Sequence, residues 1–324
     1  MSPRAEFRVD FAKKTSAGRT AEIQDILLTP DGARMTVSDN THNQTQVWDI
    51  RGEPKNLHAL KRAVSGISDD GSLLDGSLEI ETGKPSKRPF VGSTLFGGIH
   101  GGLYTTNSRF WWSRSMDWGK PEPFRIFQEE VPSGKKLGPY VACDDDRVDL
   151  ALPIKQGREL VFVVPAQNKV RVFDFSTKSV TREFALANPR EFRGLGKFTD
   201  WSAFAVSPDG KWVAAMRIYL GKNPDPIEIF NETGSVVATL PPRSVWERHG
   251  AFVPGRDVYV APSSLRPRVS GEIAAFDINR NAFAAICVGQ QAVVTALAVS
   301  GDGKVMAAGY ADGAVSIWDL SKLK

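Results

Sequence analysis

The sequence predicts an all-β protein assembled from repeats of about four strands each. Three observations predict it. Short apolar runs are broken by Gly-Asp-Gly and Pro-Asp-Gly turns, strand-like segments end in an aromatic residue followed by Asp or Asn, and successive endings are spaced roughly 40 residues apart. The pattern is clearest in VTALAVSGDGKVMAAGYADGAVSIWDL, which ends at Trp318-Asp319. It recurs as EIQDILLTPDGARMTV and QTQVWDI, ending at Trp48-Asp49, and as WSAFAVSPDGKWVAAM and PIEIFN, ending at Phe230-Asn231. NKVRVFDF ends at Phe173-Asp174 and GEIAAFDI at Phe276-Asp277.

A period of roughly 40 residues is that of a four-stranded propeller blade. The interval between Asp49 and Asp174 has room for about three such periods. Seven blades follow, centred near residues 22–60, 62–91, 92–131, 147–186, 199–240, 249–289 and 292–320. The last has no length left for a fourth strand, which would leave an open edge prone to aggregation. The segment AEFRVDFA supplies it: Phe7, Val9 and Phe11 alternate with Arg8 and Asp10, the period of a half-buried strand. The expected architecture is one domain over 1–324, a seven-bladed β-propeller closed by residues of about 5–12 pairing with the last blade.

The last blade resembles the WD40 family, whose pattern runs Gly-His, strand, Ser-Pro-Asp-Gly, strand, Asp-Gly, and a strand ending Trp-Asp. Gly289, Ser300, Asp302, Gly303, Asp312, Gly313, Trp318 and Asp319 fall in register. Gln290 stands where the family has His, and Ala308 where it has Ser or Thr. The resemblance implies structural roles for Trp48, Asp49, Asp174, Asp277, Asp312, Trp318 and Asp319. It also implies a buried Asp-His-Ser-Trp network across a blade, of which the last blade keeps only Asp312 and Trp318. His58 occupies the His position ahead of Ser68, but that blade has Glu81 in place of Trp.

The stretch RFWWSRSMDWGKPEPF places three of the chain's eight tryptophans within eight positions. RFWWSR fits a third strand and PFRIF a fourth. The hairpin between them is similar to an Asp-box, the Ser-x-Asp-x-Gly turn of sialidase-like blades, through Ser115, Asp117 and Gly119. That turn is structural: its Asp bonds local amides and its Gly takes positive φ. Phe110 and Trp112 are expected in the sheet and Trp118 at the hairpin tip.

No chemistry stands out. Four histidines, His42, His58, His100 and His249, show no metal-site spacing, and no GxSxG elbow or phosphate-wrapping GxxxxGK[ST] occurs. GGIHGG reads as a close-packed turn, and CDDDRVD as a solvated loop without EF-hand spacing. No metal and no cofactor is expected. Cys143 and Cys287 read as reduced buried thiols. A formal charge of +4 with basic residues spread over several blades disfavours a nucleic-acid track. The absence of an apolar leader or long apolar run points to a cytoplasmic protein without membrane insertion.

Function is therefore sought on the loops. In a propeller the loops joining strand four to the next blade, and strands two and three within a blade, gather at the channel mouth, held by rigid sheets. Those loops carry His42, Trp201, Arg217, Tyr219, Trp246, Arg248, His249, Arg266, Arg268 and Tyr310, with Trp118 added from its hairpin. Trp, Tyr and Arg anchor protein interfaces most often. The reading is a non-enzymatic scaffold that holds a protein or peptide, monomeric or a subunit of a hetero-complex. The rivals are a propeller hydrolase, lactonase or oxidoreductase with a channel-mouth site, and nucleic-acid or anion binding.

Overall fold

The computed structural model describes residues 1–11, 23–39, 43–64, 66–68, 70–75, 78–86, 110–115, 124–130, 138, 140–143, 150–155, 158–164, 167, 169–185, 200–218, 226–240, 250–263 and 271–323. In chain order the strands are β1 (Ala5–Arg8), β2 (Asp25–Leu28), β3 (Arg34–Asp39), β4 (Gln44–Asp49), β5 (Lys55–Leu60), β6 (Leu73–Leu74), β7 (Leu78–Glu79), β8 (Phe110–Ser115), β9 (Phe124–Glu130), β10 (Tyr140–Cys143), β11 (Leu150–Ile154), β12 (Glu159–Val164) and β13 (Lys169–Asp174). They continue as β14 (Ser179–Ala185), β15 (Asp200–Val206), β16 (Val213–Ile218), β17 (Ile227–Phe230), β18 (Val236–Leu240), β19 (Ala251–Phe252), β20 (Val258–Pro262), β21 (Glu272–Asp277), β22 (Ala282–Val288), β23 (Val294–Val299), β24 (Val305–Tyr310) and β25 (Ala314–Asp319), followed by a 3-10 turn over Leu320–Lys322.

Two compact units result. The first joins Met1–Leu74, Leu78–Lys84 and Arg243–Lys324; the second joins Asp75–Ser77 and Pro85–Pro242. In the first unit β2-β3-β4-β5, β19-β20-β21-β22 and β1-β25-β24-β23 are four-stranded antiparallel sheets, and β6 pairs with β7. In the second, β11-β12-β13-β14 and β15-β16-β17-β18 are four-stranded and β10-β9-β8 is three-stranded. All-β architecture with small antiparallel sheets in sequence order is what propeller blades look like.

Middle strands such as β20 and β24 are apolar without alternation because both of their faces are covered. In β24, Met306, Ala308 and Tyr310 join a core with Val258, Val260, Ile273 and Trp318. The intervening Val305 and Ala307 join a second core with Ile23, Ile26, Met35, Val37 and Ile317. One strand thus feeds two cores, so a one-residue slip in register would exchange both sets of contacts. Each fully buried Val, Ile or Met contributes roughly 1.5–3 kcal/mol.

The acidic turns between the first two strands of a sheet are built alike. Ser300 Oγ donates to Asp302 Oδ1 at 2.6 Å and accepts from Val305 N–H at 3.0 Å, while Lys304 N–H donates to the same carboxylate oxygen at 3.0 Å. Thr29 with Asp31, Ser68 with Asp70, and Ser207 with Asp209 repeat the hydroxyl-to-carboxylate bond at 2.6 Å. The glycine that follows has φ of 66° at Gly32, 71° at Gly71, 75° at Gly210 and 70° at Gly303, conformations that other residues adopt only at a cost. The SDDG turn therefore marks a genuine repeat, with Ile67 bridged to Leu74 across it.

The aromatic–acid endings are explained too. β4, β13, β17 and β21 each pair with the following strand through a register shift beside the terminal aromatic, between Val47/Trp48, Val172/Phe173, Ile229/Phe230 and Ala275/Phe276. The acid or amide after it caps the next turn: Asp49 accepts from Arg51 N–H, Asp174 from Ser176 N–H, Asn231 from Thr233 N–H and Asp319 from Ser321 N–H. Asp277 does the same for Arg280 N–H.

In the last sheet the outer strand comes from the other end of the chain. β1 pairs antiparallel with β25 from Ala5↔Ile317 to Arg8↔Ala314, without a register shift. Val9 N–H donates to Gly313 O, and Val9 and Phe11 are buried where the alternation placed them inward.

β9, expected as the outermost strand of its sheet, is instead flanked by β8 on one side and β10 on the other. His58, ahead of the Ser68 turn as expected, lies inside β5, opposite Val47. The Met116–Gly119 part of the Asp-box-like hairpin, with Trp118, as well as GGIHGG and most of CDDDRVD, lies outside the described residues.

Candidate partner-binding site

The described portion of the loop-bearing strand ends centres on β24, β25 and β1. Gly313, at φ 81°, turns the chain between β24 and β25, and its N–H donates to Tyr310 O at 3.0 Å. Asp312 accepts from Ala314 N–H at 3.1 Å through Oδ1 and pairs with Arg8 through Oδ2 at 2.9 Å. The Arg8 side chain is 72% exposed, so this pair contributes at most about 1 kcal/mol and its charge faces solvent. Two register positions along the ladder from Arg8, Ser316 Oγ donates to Glu6 Oε1 at 2.9 Å. The added strand thus brings Glu6 and Arg8 to the rim of the last sheet.

Tyr310 requires correction as a contact residue: its side chain is fully buried. A Cβ at Gly289 would stand 2.0 Å from its hydroxyl, so the phenol occupies space that the glycine leaves open. Burial pushes its pKa up to about 12, with Ser316 and the Gln290 main chain opposing the shift. Those neighbours are close, but Tyr310 Oη makes no hydrogen bond of good geometry, and neither does the buried Trp318 Nε1.

In the second unit, Trp201 and Arg217 are directly paired residues of β15 and β16, one position from the end of β16. The sequence separates them by a whole hairpin; the sheet makes them neighbours. His42 falls between β3 and β4, and Arg266 and Arg268 between β20 and β21. Trp246, Arg248 and His249 precede β19, and Tyr219 follows β16. These seven residues lie outside the described residues.

Sequence reasoning missed a charged cluster at the opposite strand ends. Buried Arg34 pairs with Asp49 at 3.1 Å and with Glu81 at 2.8 Å, and Arg51 reaches Asp49 at 2.6 Å. The hydrogen bond from the Arg51 side chain is the main reason Asp49 is held down to about 2, with Arg34 adding to it. Glu81, noted for standing where a Trp was due, instead ties the β7 turn to β3. The available signal was an arginine opening a strand, RMTVSD, just after the Pro-Asp-Gly turn. Beside it, His58 Nε2 is buried without a partner, and desolvation lowers its pKa despite the nearby Glu81.

Among the described residues no group of three or more His, Cys, Asp or Glu is placed to hold a metal ion. Nor is any helix among them long and apolar enough to cross a membrane.

Residues 283–319 match the family model of the WD domain, G-beta repeat. This segment is thus similar to a WD40 repeat. It runs from β22 to the end of β25, and so takes in the Ser300-Asp302 turn, the Asp312 turn and Trp318-Asp319. A WD40 repeat indicates a protein-interaction scaffold as the kind of function, and such domains are typically not enzymes. No curated protein matches the chain.

Proposed function

We propose that the sheets of both units are blades of one seven-bladed propeller domain over 1–324, closed by β1, and that it serves in the cytoplasm as a non-enzymatic scaffold for a protein or peptide. The observation that carries this reading is the WD40 repeat at 283–319, whose turn architecture recurs at Thr29–Gly32, Ser68–Gly71 and Ser207–Gly210. The pairing of β1 with β25 supports closure, because it supplies the fourth strand that the last sheet lacks. A reduced, buried thiol at Cys287 fits a cytoplasmic setting.

The mechanism is rigid presentation. Loops carrying His42, Trp118, Tyr219, Trp246, Arg248, His249, Arg266 and Arg268, with Trp201 and Arg217 on the strands beside them, connect strands of the sheets, so little ordering is needed when a partner docks. Aromatic and arginine side chains supply the anchoring contacts. The test is affinity capture followed by mass spectrometry, comparing the wild type with Arg217→Ala, Trp246→Ala and a double Arg266→Ala/Arg268→Ala variant. Loss of a specific partner at unchanged melting temperature is expected. Identical partner sets from all variants would refute the loop-face assignment.

A further inference from the structure

The outer edge of the β19-β20-β21-β22 sheet is built differently from the other outer edges. Three of the five exposed large apolar side chains among the described residues, Phe283 at 41%, Val288 at 50% and Val293 at 42%, fall in or just after β22. From Asn281 to Ser300 the chain carries no Asp, Glu, Lys, Arg or His. Exposed edge strands ordinarily carry charge, which deters pairing with another chain. β14 does so with Arg182 and Glu183 at its centre, and β5 begins with Lys55. β18 is also uncharged but only five residues long, with Val236 as its exposed apolar side chain.

The β22 edge already accepts added main chain. Val288 N–H donates to Met1 O at 3.1 Å, and the Met1 amino group donates to Ile286 O. One end of the edge is thus occupied by a backbone contact, and the stretch from Ala282 to Ala285 continues it without a described partner.

We propose that this stretch pairs antiparallel with the same stretch of a second copy, forming an isologous dimer through a continuous eight-stranded sheet, in place of the monomer or hetero-complex subunit expected from sequence. Self-pairing suits an uncharged strand: a two-fold axis sets each residue against its own strand, so a single charge near the centre would meet its like. Ala282, Ala284 and Ala285 allow close approach, and the two exposed Phe283 rings are withdrawn from water on the sheet faces. Cys287 is not the link, because its thiol is buried within the sheet's own core.

The test is light scattering coupled to size exclusion over a hundredfold concentration range, under reducing conditions. The wild type is expected at twice the 35.5 kDa chain mass at the upper concentrations. Phe283→Lys is expected to be folded but monomeric throughout, with a melting temperature independent of concentration, and Val236→Lys on the β18 edge to dimerise like the wild type. Hydrogen exchange provides a second readout: amides of Ala282–Ile286 should gain protection as concentration rises. A wild type at monomer mass at every concentration overturns the proposal. So does a Phe283→Lys protein that still dimerises, or concentration-independent exchange across β22.

Discussion

Replacing Ala308 with serine places a hydroxyl on the sheet face that carries the buried Trp318 indole. Trp318 is fully buried and its Nε1 has no hydrogen-bond partner. Across the β24–β25 pair, Met306 faces Trp318 and Ala308 faces Ser316, so Ala308 is a diagonal neighbour of the tryptophan on the same face. The ring extends that way, since a Cβ at Gly289 would lie 3.1 Å from Trp318 Cη2, 3.0 Å from Ser316 Oγ and 2.0 Å from Tyr310 Oη. An orphaned buried N–H costs about 1–3 kcal/mol, and a bond that satisfies it returns about 0.5–1.5 kcal/mol net. Ala308→Ser should therefore stabilise by about 1 kcal/mol, a rise of about 1.5 °C in Tm at the usual unfolding entropy per residue. The assay is paired thermal and urea unfolding, with Ala308→Val as the control that adds volume without an acceptor. The alternative outcome has the opposite sign: a serine hydroxyl that misses the indole is itself a buried polar group without a partner, costing about 1–3 kcal/mol. Destabilisation by Ala308→Ser would refute the placement of the ring. The first sheet offers an independent repeat, because Trp48 Nε1 is also orphaned and Val37 holds the equivalent register, so Val37→Thr should act likewise.

Three further outcomes follow from the turns and titrating groups. Asp302→Ala removes the acceptor of the Ser300 hydroxyl and the Lys304 amide, and should lower stability by about 1–2 kcal/mol in urea unfolding. Asp49, Asp31, Asp174, Glu183, Asp302 and Asp319 all have folded-state pKa values below their ordinary ones, so their contribution is present above about pH 4 and is lost as pH falls toward Asp49's value of about 2. Melting curves at stepped acid pH should show that loss, and Asp49→Asn should flatten it. Burial raises the Cys287 thiol to about 11 and the Tyr310 phenol to about 12, so stability should fall as pH rises past 9, and a thiol reagent at pH 8 should label Cys287 only after unfolding.

The fold was legible where sequence encodes local geometry. A Ser-x-Asp-Gly turn is specified by its own four residues: the hydroxyl, the carboxylate and the positive φ are all within it. The alternation of Phe7, Arg8, Val9 and Asp10 likewise announced a half-buried strand, and the open last sheet announced where it would pair. The strand order around β9 was not legible, because neighbours in a sheet are chosen by pairing between segments rather than by either segment alone. The same limit applies to the candidate site. The juxtaposition of Trp201 and Arg217 is a matter of register, and the arginine cluster around Arg34 depends on Glu81 arriving from a different sheet.

Tyr310 shows how a departure from a family pattern misleads and then informs. A tyrosine at the end of an apolar strand, next to an Asp-Gly turn, has the composition of a contact residue. Its burial follows from residues elsewhere: Gly289 leaves the volume, Ala308 contributes no side chain that fills it, and Ser316 provides a polar neighbour. Where the family places His and Ser or Thr, this blade has Gln290 and Ala308, and the phenol enters the resulting gap. Ser316 turns instead to Glu6 on the incoming β1 strand. The polar connection that the family makes within a blade is thereby redirected to the strand that completes it. Stability of this sheet consequently depends on β1 in two ways, through its main-chain ladder and through Glu6, and loss of β1 would leave both an exposed edge on β25 and the otherwise buried Ser316 without its acceptor.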